Sequence, residues 1–246
     1  MLNRRSTVLV IALGSFLVAA CQPKALTPTE LETVKSSSDA YLAYERDDCQ
    51  TVLDLTDPDR LELWAVNEMR HSTLLVHGFC LERTGDTEEA KDIYKQLVLE
   101  APNSFAAEDA AERIRVLKVI EQDPGYADWI RTARERIDSE KSTRTPTDRV
   151  PAEYPPLASA TGIHGYAVVE FGITRRGHTE DPIVVEGLPP LLFDGAALRA
   201  VRRWQYTSKS STSPDDRQLI RIRFRQDNSQ NATDPGPPDP NTSAPE

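Results

Sequence analysis

Between Ser37 and Glu140 the apolar positions recur at helical spacing, on a background rich in Ala, Leu, Glu, Lys and Arg and poor in Gly. One stretch predicts a helical hairpin. Leu74, Gly78 and Leu81 share a helix face, Gly85-Asp86 turns the chain, and Ala90, Tyr94 and Leu97 pack back before Pro102 stops the second helix. Gly78 allows the two helices a close approach. Residues 37–55 and 105–137 read as flanking helices, with Tyr41, Tyr44, Trp64 and Trp129 as packing residues. Beyond residue 150 the period shortens. Ala167, Val169, Phe171 and Ile173 alternate along one strand face, Arg175-Arg176-Gly177-His178 turns, and Ile183-Val184-Val185 begins a second strand ending at Gly187. Leu188-Pro189-Pro190 opens a helix with Phe193, Ala196, Ala197, Ala200, Val201 and Trp204 on one face and Arg199, Arg202 and Arg203 toward water. In the last strand Ile220, Ile222 and Phe224 point one way, and Arg221, Arg223 and Arg225 point to a solvated side. The expected class is α+β: all-α hairpins, then a small three-stranded antiparallel sheet with helices on one face.

The ends of the chain bear on its compartment. Arg4 and Arg5 precede an apolar run from Thr7 to Ala20. That run is shorter than the roughly 20 residues a spanning helix needs, and it has the flanks of a secretory leader. Leu17-Val18-Ala19-Ala20-Cys21 resembles the bacterial lipobox. The resemblance implies cleavage before Cys21, acylation of its thiol, and a periplasm-facing protein held to a membrane by lipid. Gln22 after the cysteine favours the outer membrane over the inner. The expected parts are a signal peptide (1–20), a tether (21–36), a helical domain (37–140), a linker (141–152), a sheet domain (153–226) and a polar, Pro-rich tail (227–246) too poor in apolar residues to fold. With Cys21 given to lipid, Cys49 and Cys80 remain as an even pair in an oxidising compartment. A disulfide between neighbouring helices is the expectation, and two buried free thiols are the alternative.

The hairpin closely resembles a tetratricopeptide repeat. Gly78, Ala90, Tyr94 and Pro102 occupy the repeat's Gly, Ala, aromatic and Pro positions, while His77 and Leu81 depart from its pattern. Residues 150–226 resemble the C-terminal domain of TonB. The matching words are Tyr154-Pro155, Gly165, Arg176-Gly177, the run Phe193-Asp194-x-Ala196-Ala197-Leu198-x-Ala200-Val201, and Trp204-x-Tyr206. Thr207-Ser208 stand where the family usually has a Pro. The resemblance implies capture of an extended peptide by strand addition at Leu219, Ile220, Arg221, Ile222, Arg223 and Phe224, beside Tyr154 and Pro155. It implies a protein partner in the periplasm or outer membrane, such as a TonB-dependent transporter. The alternatives are a true energy transducer with an uncleaved N-terminus, or a structural lipoprotein contacting the cell wall or Tol-type machinery.

Charge and motifs narrow the field. The formal net charge is −10, and without a sustained basic patch the chain is a poor nucleic-acid binder. G-x-S-x-G, H-E-x-x-H, P-loop and dinucleotide fingerprints are absent from the sequence. No catalytic residue, cofactor or metal is therefore expected. His77-x-x-Cys80 has ligand spacing but lacks a second pair.

Overall fold

The computed structural model describes residues 26–57, 61, 68–137, 144–208 and 217–225. The signal peptide, Cys21 and the polar tail lie outside these residues. The first helix, α1 (Pro28–Glu45), begins inside the segment read as a tether. Thr27 accepts a hydrogen bond from the Glu30 N–H, Glu30 accepts one from the Thr27 N–H, and Pro28 occupies the first turn. This capping box with an N-terminal proline satisfies donors that would otherwise be orphaned, so the helical part starts at residue 28 and not at 37. Asp47, at φ 66, turns the chain into α2 (Cys49–Leu55). The Asp48 carboxylate caps α2 by accepting from Thr51.

The hairpin forms as expected from α3 (Glu68–Thr84) and α4 (Thr87–Glu100). Gly85, at φ 105, makes the turn. A Cβ on Gly78 would stand 2.6 Å from Cε1 of Tyr94, so this glycine does set the helix approach. The flank at 105–137 is two helices, α5 (Phe105–Gln122) and α6 (Tyr126–Arg136), separated at Asp123-Pro124-Gly125. A proline there cannot continue the α5 ladder.

The C-terminal part runs α7 (Pro156–Thr161), β1 (Gly165–Ile173), β2 (Thr179–Leu188), α8 (Asp194–Val201) and β3 (Gln218–Phe224). Its sheet is antiparallel with strand order β2-β1-β3. Val169 of β1 faces Ile220 of β3 and Val184 of β2. The expected turn closes on Gly177, at φ 87. Helix α8 starts later than the prolines suggested, because β2 runs on through Leu188. Trp204 lies beyond its end and donates from Nε1 to the Val150 carbonyl at 2.8 Å.

The strand period sorts β1 onto two cores. Ala167, Val169, Phe171 and Ile173 join Phe193, Ala197, Val201, Trp204, Ile222 and Phe224 beneath α7 and α8. The domain's own helices thus cover one face. The opposite face, expected to be solvated, is roofed by α6. Tyr126, Trp129, Ile130, Ala133 and Ile137 pack there on Val168, Ile183, Val185 and Leu219. The larger core also continues without a break from Tyr41, Tyr44 and Phe79 into Phe171 and Trp204. Residues 144–152 do not hang free. Thr147 donates to the Gln205 carbonyl at 2.7 Å, Gln205 returns a bond to Asp148 at 2.9 Å, and Arg149 stacks on Trp204. Among the described residues no helix is long and apolar enough to cross a membrane.

Candidate partner-binding edge

Two strands end the sheet, and their sequences treat the edge differently. β2 carries Pro182, which has no N–H to offer, and Asp181 at φ 43. Its register against β1 slips twice, and its Val185 carbonyl accepts from Arg134 of α6. Proline, bulges and a capping side chain all blunt an edge against further pairing. β3 has none of these interruptions. It pairs with β1 in an unbroken register from Gln218↔Phe171 to Phe224↔Gly165. Among the described residues no strand pairs with its outer side.

The residues expected to meet a partner divide into groups. Leu219, Ile222 and Phe224 are buried in the cores, so an added chain would meet their backbone and not their side chains. Ile220 is half-buried against the same core. Arg221 leans inward across the sheet, stacking on Tyr166 at 4.7 Å and approaching Glu186 at 3.8 Å. Its charge is therefore turned onto the protein, which corrects the expectation of a solvated arginine face. Arg217 leans the same way, over Trp129 at 4.4 Å and onto the Asp181 carbonyl at 2.8 Å. Arg223 is half-buried, and Arg225 is exposed just past the strand.

Tyr154 and Pro155, neighbours in sequence, have different surroundings. The Tyr154 ring stands edge-on to Phe193 and Phe224 at 5.9 and 5.8 Å, and its hydroxyl donates to the Ile163 carbonyl at 2.6 Å. Burial raises its phenol pKa. It is part-buried at the C-terminal end of β3. Pro155 is buried where Tyr41, Ser72, Ala106 and Leu192 converge. That position belongs to the contact with the helical part and leaves no surface for a partner.

Sequence reading missed how the two parts are joined. Arg199 and Arg202, expected in water, face α5 instead. Arg199 pairs with Asp109 and with Glu108, and stacks on Phe105 at 4.6 Å. Arg202 holds both oxygens of Glu112, at 2.6 and 2.5 Å. The acidic positions 108, 109 and 112 of α5, the basic position 199 of α8 and position 202 just past its end share that contact. Opposite charge at helical spacing on both segments was the available signal. Tyr44 donates to the Pro190 carbonyl, and Arg136 pairs with the fully buried Glu170, itself approached by Arg217 at 3.5 Å.

The Cys49 and Cys80 sulfurs meet in disulfide geometry, with Cα atoms 5.1 Å apart, tying α2 to α3. His77 is buried, with Nδ1 2.8 Å from the Thr56 hydroxyl, and burial lowers its pKa. Neither member of the His77-x-x-Cys80 pair is left open to a metal. Among the described residues no three His, Cys, Asp or Glu side chains are grouped as metal ligands.

This arrangement defines a small α+β module whose last strand lies on an edge of the sheet. Residues 150–226 match the family described as Gram-negative bacterial TonB protein C-terminal, so the chain carries a TonB C-terminal domain there. Protein TonB of Pseudomonas aeruginosa is similar to it, at 36% identity over 61 residues. These are 25% of this chain and 18% of that protein, so the chain spans less than a fifth of this relative's length. A solved structure of the TonB2 protein from Vibrio anguillarum is similar at 26% identity, covering 35% of this chain and 84% of that one, with a TM-score of 0.29.

Proposed function

We propose that the chain is a non-catalytic cell-envelope lipoprotein whose TonB-like domain takes an extended segment of a periplasmic or outer-membrane protein along the outer side of β3. The task is linked to outer-membrane transport, with a TonB-dependent type of transporter as the partner. One observation carries this reading. β2 is blunted by a proline, two register slips and Arg134, whereas β3 is seven residues without interruption. An uninterrupted edge offers alternate N–H and C=O groups to an incoming backbone. Arg225 and the half-buried Arg223 add positive charge at the end where Tyr154 meets Phe224. With Arg221 turned inward, affinity comes mainly from backbone pairing. The lipobox-like Leu17–Cys21 supports attachment of the molecule to a membrane by lipid. The tetratricopeptide-like hairpin acts as a scaffold, because its neighbours α1 and α5 are engaged by the chain's own C-terminal part.

Photo-cross-linking of the full chain in cells tests the edge. A benzophenone amino acid at Arg223 or Arg225 is expected to give adducts with an outer-membrane protein. The same probe at Glu180, on β2, gives none. Equal adducts from all three positions would overturn the proposal, as would none from β3. Cys21→Ala is expected to abolish palmitate labelling and release the protein from the membrane fraction.

A further inference from the structure

We infer that the contact between α5 and α8 is a proton-sensitive latch, which holds the helical part on the TonB-like domain while Asp109 and Asp194 are protonated and loosens when both ionise. The geometry is a buried acidic seam. Asp109 of α5 is 2% exposed and Asp194 of α8 is 5% exposed. Asp109 lies directly against the α8 backbone, since a Cβ on Gly195 would stand 2.1 Å from its Oδ1. Asp194 is the preceding residue. Its Oδ1 faces Gly187 of β2, where a Cβ would stand at 2.7 Å, and is buried without a hydrogen-bond partner.

The surrounding charges do not neutralise both carboxylates. Asp109 faces Arg199 and Asp194 from α8, Glu108 from its own helix and Tyr41 from α1. Arg199 is shared with Glu108. Asp194 faces Arg113 from α5, Glu82 from α3, Arg134 from α6, and the phenols Tyr44 and Tyr126. Arg113 is committed to Glu82, with Nε at 3.1 Å, and Arg134 donates to the Val185 carbonyl. Burial therefore dominates. It pushes Asp109 up to about 7, against the opposing pull of Arg199. It pushes Asp194 up to about 6, against Arg113.

The sign follows from linkage. Both folded-state pKa values lie above that of a solvated aspartate, so the closed contact binds protons that the open one releases. The stabilising effect is complete below the solvated pKa and disappears as pH rises through 6 and then 7. Each pH unit between the solvated pKa and a group's raised pKa multiplies the opening constant by up to about tenfold for that group, and above the raised pKa the constant levels off.

Hydrogen exchange of the full chain, corrected for intrinsic rates, tests this. Between about pH 5.5 and about pH 8.5, protection of 105–113 and 194–201 is expected to fall more than about tenfold relative to the α3–α4 hairpin. Asp109→Asn combined with Asp194→Asn is expected to flatten the dependence. Should that variant fail to fold, carboxyl carbon-13 titration of the unaltered protein decides. Two aspartates titrating between about pH 5.5 and 7.5 support the latch, and none above about pH 4.5 overturns it. Unchanged protection across the pH range would also overturn it.

Discussion

Gly195→Ala tests whether the two parts of the chain are fitted to one another at atomic distance. In a helix free of neighbours, alanine stabilises relative to glycine by about 1 kcal/mol. Gly195 sits inside α8, where that preference alone would predict a gain. The added methyl, however, would stand 2.1 Å from Oδ1 and 2.8 Å from Cγ of Asp109, and 3.1 Å from Nη1 of Arg199. Asp109 has little room to retreat, being 2% exposed and tied to Arg199. Overpacking of this kind costs about 1–3 kcal/mol. Moving Asp109 away from Arg199 also costs part of a buried ion pair, lessened by protonation of the carboxyl. The net expectation is a destabilisation of about 2 kcal/mol, read as a lower urea midpoint with an unchanged m-value. In an Asp109→Ala background the space is already open. There the same substitution should be neutral or stabilising, giving a coupling of about 2 kcal/mol in the double-mutant cycle. A variant as stable as the parent would refute the argument, and so would the same cost in both backgrounds.

Other measurements address separate parts of the molecule. Replacing Cys49 and Cys80 by Ala opens a link of sequence separation 31, and chain entropy puts the loss at about 3–4 kcal/mol. Non-reducing mass mapping of periplasmic protein should find the two joined, and free alkylation of both would contradict this. All seven tyrosines have raised phenol pKa values. Burial is the leading cause except at Tyr166, where the Glu186 hydrogen bond leads, and Tyr206 is pushed up to about 12. Phenolate formation in the native protein should therefore be shifted to higher pH than in denatured protein, which titrates near about pH 10. The associated stability is lost as pH rises above about 10. Residues 150–226 expressed alone lack α6 and expose Val168, Ile183, Val185 and Leu219. They should bind a hydrophobic dye that the full chain does not, and starting the fragment at residue 123 should restore the covered face.

What the sequence disclosed follows the range of the interactions concerned. The α3–α4 hairpin was legible because Gly78, Gly85 and Tyr94 act within a few turns of one another. The β1 face was legible because burial on one side imposes strict alternation. The start of α1 was missed although its signal was local: Thr27-Pro28-x-Glu30 is a capping box, hidden by a polar stretch that resembles a tether. The roof over the second sheet face was missed for another reason. Alternating arginines on β3 imitate a solvated strand, yet Arg217 and Arg221 cover aromatic rings and carbonyls with their stems and guanidiniums. An arginine-rich strand face can be either wet or covered, and only its neighbours distinguish the two. Tyr154 and Pro155 were read as one motif, but a single peptide bond separates a residue at the strand edge from one sealed into the joint.

The covered surfaces strengthen the case for β3 more than the domain match does. A TonB-like domain of this size offers a helical face, a bare sheet face and two strand edges. Here the helical face is held by α5 through Arg199 and Arg202, the sheet face is roofed by α6, and the β2 edge is blunted at Pro182 and Val185. Three of the four surfaces are thus occupied by the chain itself or shaped against pairing. The edge that remains begins on a strand fixed at both faces by buried side chains, Leu219 on one and Ile222 and Phe224 on the other. An added strand meets a backbone already set in place, so little ordering entropy opposes its docking. It also follows that loosening α5 from α8 would free the side of the domain that carries Phe193, which stacks on Phe224 at 4.4 Å at the end of that edge. The latch and the docking edge therefore meet at one pair of rings, and Phe193→Leu should weaken partner cross-linking at Arg225 more than at Arg223.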